Sequence, residues 1–185
     1  MEKIRTFIAL EIPDELRRKL CLVQKQCMQR IEGVKWVNPD TIHLTLKFLG
    51  SIRCDRVEAV CTAMAQAAEG VGPFCFTVTG LGAFPSVRNP KVVWAGIQDD
   101  RIVRFQKKIE EALCPAGFSR EQRPFTPHLT IGRVRVARAK HGLRTVLEEF
   151  SREVLGSFES SRLSFIQSDL QPAGPVYTVL KDIDL

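Results

Sequence analysis

Shifting the chain by 85 residues lays it upon itself without a gap, and this internal repeat constrains the fold more than any other feature. The shift superposes His43-Leu44-Thr45 on His128-Leu129-Thr130, identical words that use two of the chain's three histidines. It carries Phe7 onto Val92, Ile12 onto Ile97 and Asp14 onto Asp99. It also carries a helical pattern at Asp55 to Ala68 onto one near Ala139 to Phe150, and the strand-like run Phe74 to Gly82 onto Glu159 to Gln167. Each half reads strand, helix, strand bearing the histidine word, helix, strand. Residues 176–185 supply one more strand at the end. The expected organisation is one domain over residues 1–185, with pseudo-repeats at about 5–84 and 90–170.

The local grammar supports this reading. Thr6 to Ile12 alternates with period two, and Pro13-Asp14 then opens a helix with apolar positions Leu16, Leu20, Val23, Cys27 and Ile31. Lys91 to Ile97 and the positions Ile102, Phe105, Ile109 and Leu113 repeat the pattern after Asp99-Asp100. No linker rich in Pro, Gly or Ser divides the chain, so Ala83 to Pro90 reads as a loop within one body. A length of 185 residues with 44% hydrophobic and 26% charged residues suits one compact core and argues against a disordered or coiled-coil chain.

The net charge of +6 is compatible with a polyanionic ligand. The excess of positive charge is concentrated in Gly132 to Arg144, which holds six basic residues counting His141 and reads either as a solvated face or as a phosphate-binding surface. The six cysteines form no C-x-x-C pair and have no histidine at ligand spacing, which argues against zinc and for a reduced, cytoplasmic protein. No apolar run approaches the length of a membrane span, and no secretory h-region follows Met1.

In a strand, residues i and i+2 share a face about 6.6 Å apart. Strict alternation puts His43, Thr45 and Lys47 on one face, with Ile42, Leu44, Leu46 and Phe48 on the other. In the second word His128 and Thr130 share a face, but Arg133 falls on the apolar parity; a bulge at Gly132 would return it to the histidine side. Two imidazoles and two hydroxyls facing each other, with a cation nearby, suit phosphoryl transfer at a diester without a metal. One imidazole takes a proton from water, the other gives one to the departing oxygen, and the hydroxyls and the cation hold the nonbridging oxygens. Two histidines and two threonines make a poor zinc shell. His141 lies outside both words and reads as a surface residue.

These words resemble the signature motifs of the 2H phosphoesterase superfamily. Within it the chain is similar to the bacterial and archaeal RNA 2′,3′-cyclic phosphodiesterases, also named 2′-5′ RNA ligases. "RTFIALEIP", "WVNPDTIHLTLKFLG", "GAFPSVRNPKVVWAGI", "FTPHLTIGRV" and "GPVYTVL" match that family's pattern in order. The resemblance implies a bilobal α+β fold, a pseudo-twofold duplication in which two antiparallel sheets line a central groove with helices outside. It implies hydrolysis of RNA 2′,3′-cyclic phosphate ends to 2′-phosphates with no cofactor and no metal. His43 would be the proton donor to the leaving 3′ oxygen and His128 the proton acceptor, a division that the near symmetry of the two words leaves open. Thr45 and Thr130 would bind the phosphate, and Arg133 would add a phosphate contact. Phe7, Phe48, Phe84 and Trp94 stand as core residues or as candidates to stack on a base. The expected partner is RNA or an oligonucleotide with a cyclic phosphate end, met by a monomer away from membranes. ATP-independent 2′-5′ ligation as the main activity, and a non-catalytic nucleotide- or RNA-binding module on the same fold, are the alternatives.

Overall fold

The computed structural model describes residues 2–135, 140–172 and 174–185. Part of the basic run, 136–139, lies outside them, as do the side chains of Lys140 and His141; the expected surface position of His141 therefore falls outside what is described.

Nine strands and four helices form among these residues: β1 (Lys3–Leu10), α1 (Asp14–Met28), β2 (Val34–Trp36), β3 (Leu44–Arg53), α2 (Val57–Ala68), β4 (Phe74–Phe84), β5 (Val92–Gln98), α3 (Asp100–Leu113), β6 (His128–Val134), α4 (Lys140–Glu149), β7 (Val154–Ser160), β8 (Arg162–Gln171) and β9 (Gly174–Asp184). The architecture is the expected α+β arrangement of two antiparallel sheets with helices outside. One sheet has the order β3-β1-β8-β9 and the other β2-β6-β5-β4-β7.

The helices begin where the sequence directs. α1 starts directly after Pro13 with Asp14 and Glu15 in its first turn, where carboxylates meet the positive end of the helix dipole. α3 is capped by Asp99, whose side chain accepts from Arg101 N at 2.7 Å. The apolar faces read from the sequence enter the core: Leu16, Leu20, Val23 and Cys27 of α1 and Ile102, Phe105, Ile109 and Leu113 of α3 are all buried. α2 and α3 pack together and against the first sheet, and α1 and α4 cover the second. One continuous apolar cluster joins both layers.

The third strand of each half does not stay with that half. β4 leaves the first half to pair with β5, and β8 leaves the second to pair with β1. Under the 85-residue shift, β3, β1 and β8 match β6, β5 and β4, so the two sheets have matching cores, each assembled from both halves. β2 and β7, which the sequence pattern did not mark, extend the second sheet. The expected strand at Glu159 to Gln167 divides at Ser161 into the end of β7 and the start of β8.

Candidate active site

Each histidine word is entered from a segment that orients its ring. Asn38 begins a short 3₁₀ turn, Pro39–Thr41, by accepting from Asp40 N at 3.2 Å, and the Thr41 carbonyl then lies 2.8 Å from Nδ1 of His43. At the matching place in the second half, the Thr126 carbonyl lies 2.7 Å from Nδ1 of His128. A carbonyl only accepts, so Nδ1 carries the hydrogen in both rings and Nε2 is left for chemistry.

Both rings are partly buried, and burial lowers both pKa values. His43 falls from 6.5 to about 4; its bond to Thr41 opposes the shift and the Arg17 cation adds to it. His128 is lowered from 6.5 by burial, opposed by its bond to Thr126. Aromatic rings supply much of that burial. Phe7 stacks on His43 with centroids 4.5 Å apart, and Tyr177 meets the same imidazole edge-on at 5.3 Å. Phe84 lies edge-on to His128 at 4.9 Å, with Trp94 at 6.4 Å. Trp94 lies across glycines: a Cβ on Gly82 would come within 2.3 Å of the indole, and one on Gly96 within 3.2 Å.

Strand register decides which side chains join the histidines. On β6, His128 pairs with Gly96, Thr130 with Trp94 and Arg133 with Val92, and Ile131 is the extra residue. Residues 92, 94 and 96 share one face of the unbroken β5, so His128, Thr130 and Arg133 share it too. A bulge thus returns Arg133 to the histidine side, its extra residue being Ile131 rather than Gly132. Gly132 makes room for β2, since a Cβ there would meet Val34 Cγ1 at 2.8 Å.

The same device at the matching place overturns the expected stripe on the first word. Thr45 pairs with Ala9 and Phe48 with Phe7, whereas Lys47 pairs with Ile8, and Leu46 is the extra residue. Lys47 therefore leaves the face of His43 and Thr45 for the core side, where Nζ lies 2.7 Å from Glu110 Oε2 and 2.7 Å from the Ser119 carbonyl. Phe48, placed on the apolar parity by strict alternation, stands instead on the groove face and is 65% exposed. Of the other aromatic candidates, Phe7 is buried, and Phe84 and Trp94 are partly buried.

The strands that carry the two words run close to each other. Cα atoms of β3 and β6 approach within 8 Å. Tyr177, beside His43 on the first sheet, has its hydroxyl pKa raised by burial, with the charges of Arg133 on the second sheet and of Arg5 opposing the rise. Periodicity did not single out Tyr177; the available signal was that it is the chain's one tyrosine. Among the described residues no three His, Cys, Asp or Glu side chains gather as a metal site, and no helix is long and apolar enough to cross a membrane.

The arrangement has close counterparts in known proteins. The profile of the LigT-like phosphoesterases matches residues 10–94 and 96–177. An RNA 2′,3′-cyclic phosphodiesterase of Methanothermobacter thermautotrophicus is 32% identical over 177 residues, covering 95% of this chain and 96% of its own. One of Thermotoga maritima is 32% identical over 178 residues, covering 96% and 93%. The crystal structure of TT0787 of Thermus thermophilus superposes with a TM-score of 0.84 at 26% identity, covering 98% of this chain and 97% of that one. That of Escherichia coli LigT complexed with 3′-AMP has the same fold, with a TM-score of 0.76 at 23% identity and coverage of 100% and 99%. With the profile covering nearly the whole chain and relatives alike from end to end, this protein belongs to the LigT-like phosphoesterase family.

Proposed function

We propose that the protein hydrolyses 2′,3′-cyclic phosphate ends of RNA to 2′-phosphomonoesters by acid–base catalysis between two histidines, without a cofactor. The observation that carries this is the pair of imidazoles with Nδ1 bound to backbone carbonyls at matching positions, each two residues from a threonine on the same face. The names of the full-length relatives agree with it.

Nε2 of His128 takes a proton from water as the water oxygen attacks phosphorus. The bond from phosphorus to the 3′ oxygen breaks, and Nε2–H of His43 protonates that oxygen. Thr45, Thr130 and Arg133 bind the nonbridging oxygens and stabilise the charge that grows on them. In the free protein both rings are neutral at pH 7, so the cycle needs one added proton. The substrate's anionic phosphate favours it by offsetting the cost of a buried imidazolium. The assignment of His43 as donor and His128 as acceptor follows the family resemblance, and the orientation of the bound substrate selects between the two rings.

The whole chain acts as one domain built from two pseudo-repeats, at about residues 5–84 and 90–170, and works as a cytoplasmic monomer. The two successive stretches matched by the family profile support the duplication.

The test is incubation of purified protein with a nucleoside 2′,3′-cyclic phosphate and a short oligonucleotide carrying the same end, in EDTA, with the product resolved as 2′- or 3′-phosphate. A 2′-phosphate formed in chelator is the expected result. No turnover, or turnover that appears only on adding zinc, would overturn the reading.

A further inference from the structure

Two buried polar groups stand behind the groove with no part in proton transfer. Gln24 on α1 is 2% exposed, and its Nε2 donates to the Val37 carbonyl at 2.8 Å and to the Ile131 carbonyl at 2.9 Å. Val37 lies on the segment that leaves the second sheet at β2 and enters the first sheet at His43. Ile131 is the bulged residue that turns Arg133 toward His128. One amide thus ties the approach to the first word to the bulge of the second.

The other half contains the counterpart. Lys47, next to the bulged Leu46 of the first word, is bound to Glu110 of α3 and to the Ser119 carbonyl, with side-chain exposures of 9% for Lys47 and 8% for Glu110. Glu110 also accepts from Glu121 N at 3.2 Å and from Gln106 Nε2 at 3.0 Å. Ser119 and Glu121 lie on the segment approaching His128. The 85-residue shift carries Gln24 to within one residue of Glu110.

We propose that Gln24 and the Lys47–Glu110 pair are repeat-related positioning residues, each clamping the approach of one histidine word to the bulge of the other and so setting the spacing of the two imidazoles. The proposal rests on the acid–base reading above. Stability accounts for only part of the Gln24 amide's role, since the Val37 carbonyl depends on it for a partner and the Ile131 carbonyl does not. The Ile131 carbonyl already accepts from Val37 N at 3.0 Å, and a leucine would bury more apolar surface in the same place. What an amide adds is direction: two hydrogen bonds hold two backbone segments at one separation.

Gln24→Leu tests this in the full-length protein. With a 2′,3′-cyclic nucleotide, kcat is expected to fall about ten- to a hundredfold while KM changes less than about threefold, because misplacement of reacting groups by ~1 Å costs rate at that scale. In the His128→Ala background the same substitution should have little further effect, since spacing to an absent base no longer matters. A kcat within twofold of wild type, or equal losses in both backgrounds, would overturn the proposal. Gln24→Glu serves if the leucine variant does not fold: a buried carboxyl between two carbonyls donates only when protonated, so its activity relative to wild type should climb from pH 8 to pH 6, and a flat ratio counts against the clamp. If wild-type protein is inactive on cyclic phosphates, the functional reading fails separately. The histidine ring NMR signals then decide: the clamp requires those of both His43 and His128 to move in Gln24→Leu, and unmoved signals overturn it.

Discussion

Phe48 and Arg133 lie at matching positions, five residues past their histidines, and each reaches the histidine face because one residue bulges out ahead of it. The two otherwise similar sides of the groove thus differ in kind, with an exposed ring on one and a cation on the other. We expect Phe48→Ala to raise KM for a cyclic nucleotide about five- to a hundredfold, the scale of base–aromatic stacking, with Phe48→Trp close to wild type. Arg133→Ala should weaken binding of substrate and inorganic phosphate together and flatten the salt dependence of KM. Steady-state kinetics at two ionic strengths separate the two effects. Equal weakening of phosphate by both substitutions would contradict the assignment.

Alanine at His43 or at His128 should lower kcat by about 10² to 10⁴, the range of general acid–base catalysis, with far-ultraviolet circular dichroism unchanged. The double variant should lose little beyond the worse single one, because the two proton transfers serve one step. Full activity in either single variant would remove that histidine from the mechanism.

The depressed histidine pKa values set an acid limit on stability. His43 titrates near 6.5 when unfolded and near 4 when folded, so the unfolded chain binds the extra proton between those values. Its contribution is complete above pH 6.5 and is lost as pH falls toward 4, amounting to at most about 3 kcal/mol. His128 adds to the loss in the same direction. Urea unfolding from pH 7 to pH 4 should show His43→Gln losing less stability than wild type, and bound phosphate should narrow the difference. Parallel pH profiles would show that the ring is not desolvated.

Gly82→Ala places a methyl group where the Trp94 indole lies, with 2.3 Å between the new Cβ and the ring. Overpacking of this kind costs about 1 to 3 kcal/mol. Because Trp94 neighbours His128, the expected outcome is a shifted tryptophan emission together with a lower kcat. Unchanged emission would mean that the ring moves aside freely.

The paired His-Leu-Thr words, the helix faces and the duplicated order of elements were legible from the sequence alone. Each is a local regularity: helices bury positions three to four apart, strands alternate, and an 85-residue shift needs no coordinates. Only the tertiary structure decided that Lys47 leaves the stripe and Phe48 joins the groove, because a bulge arises when one strand carries an extra residue against a partner distant in the chain. Tyr177 reaches His43 for a similar reason, since the pairing of β9 with β8 and of β8 with β1 brings it there. The exchange of β4 and β8 between sheets is equally invisible to periodicity, which states that a segment is a strand but not which strand it will pair with. Residue chemistry was written locally, and its direction in space came from hydrogen bonds between segments far apart in the chain.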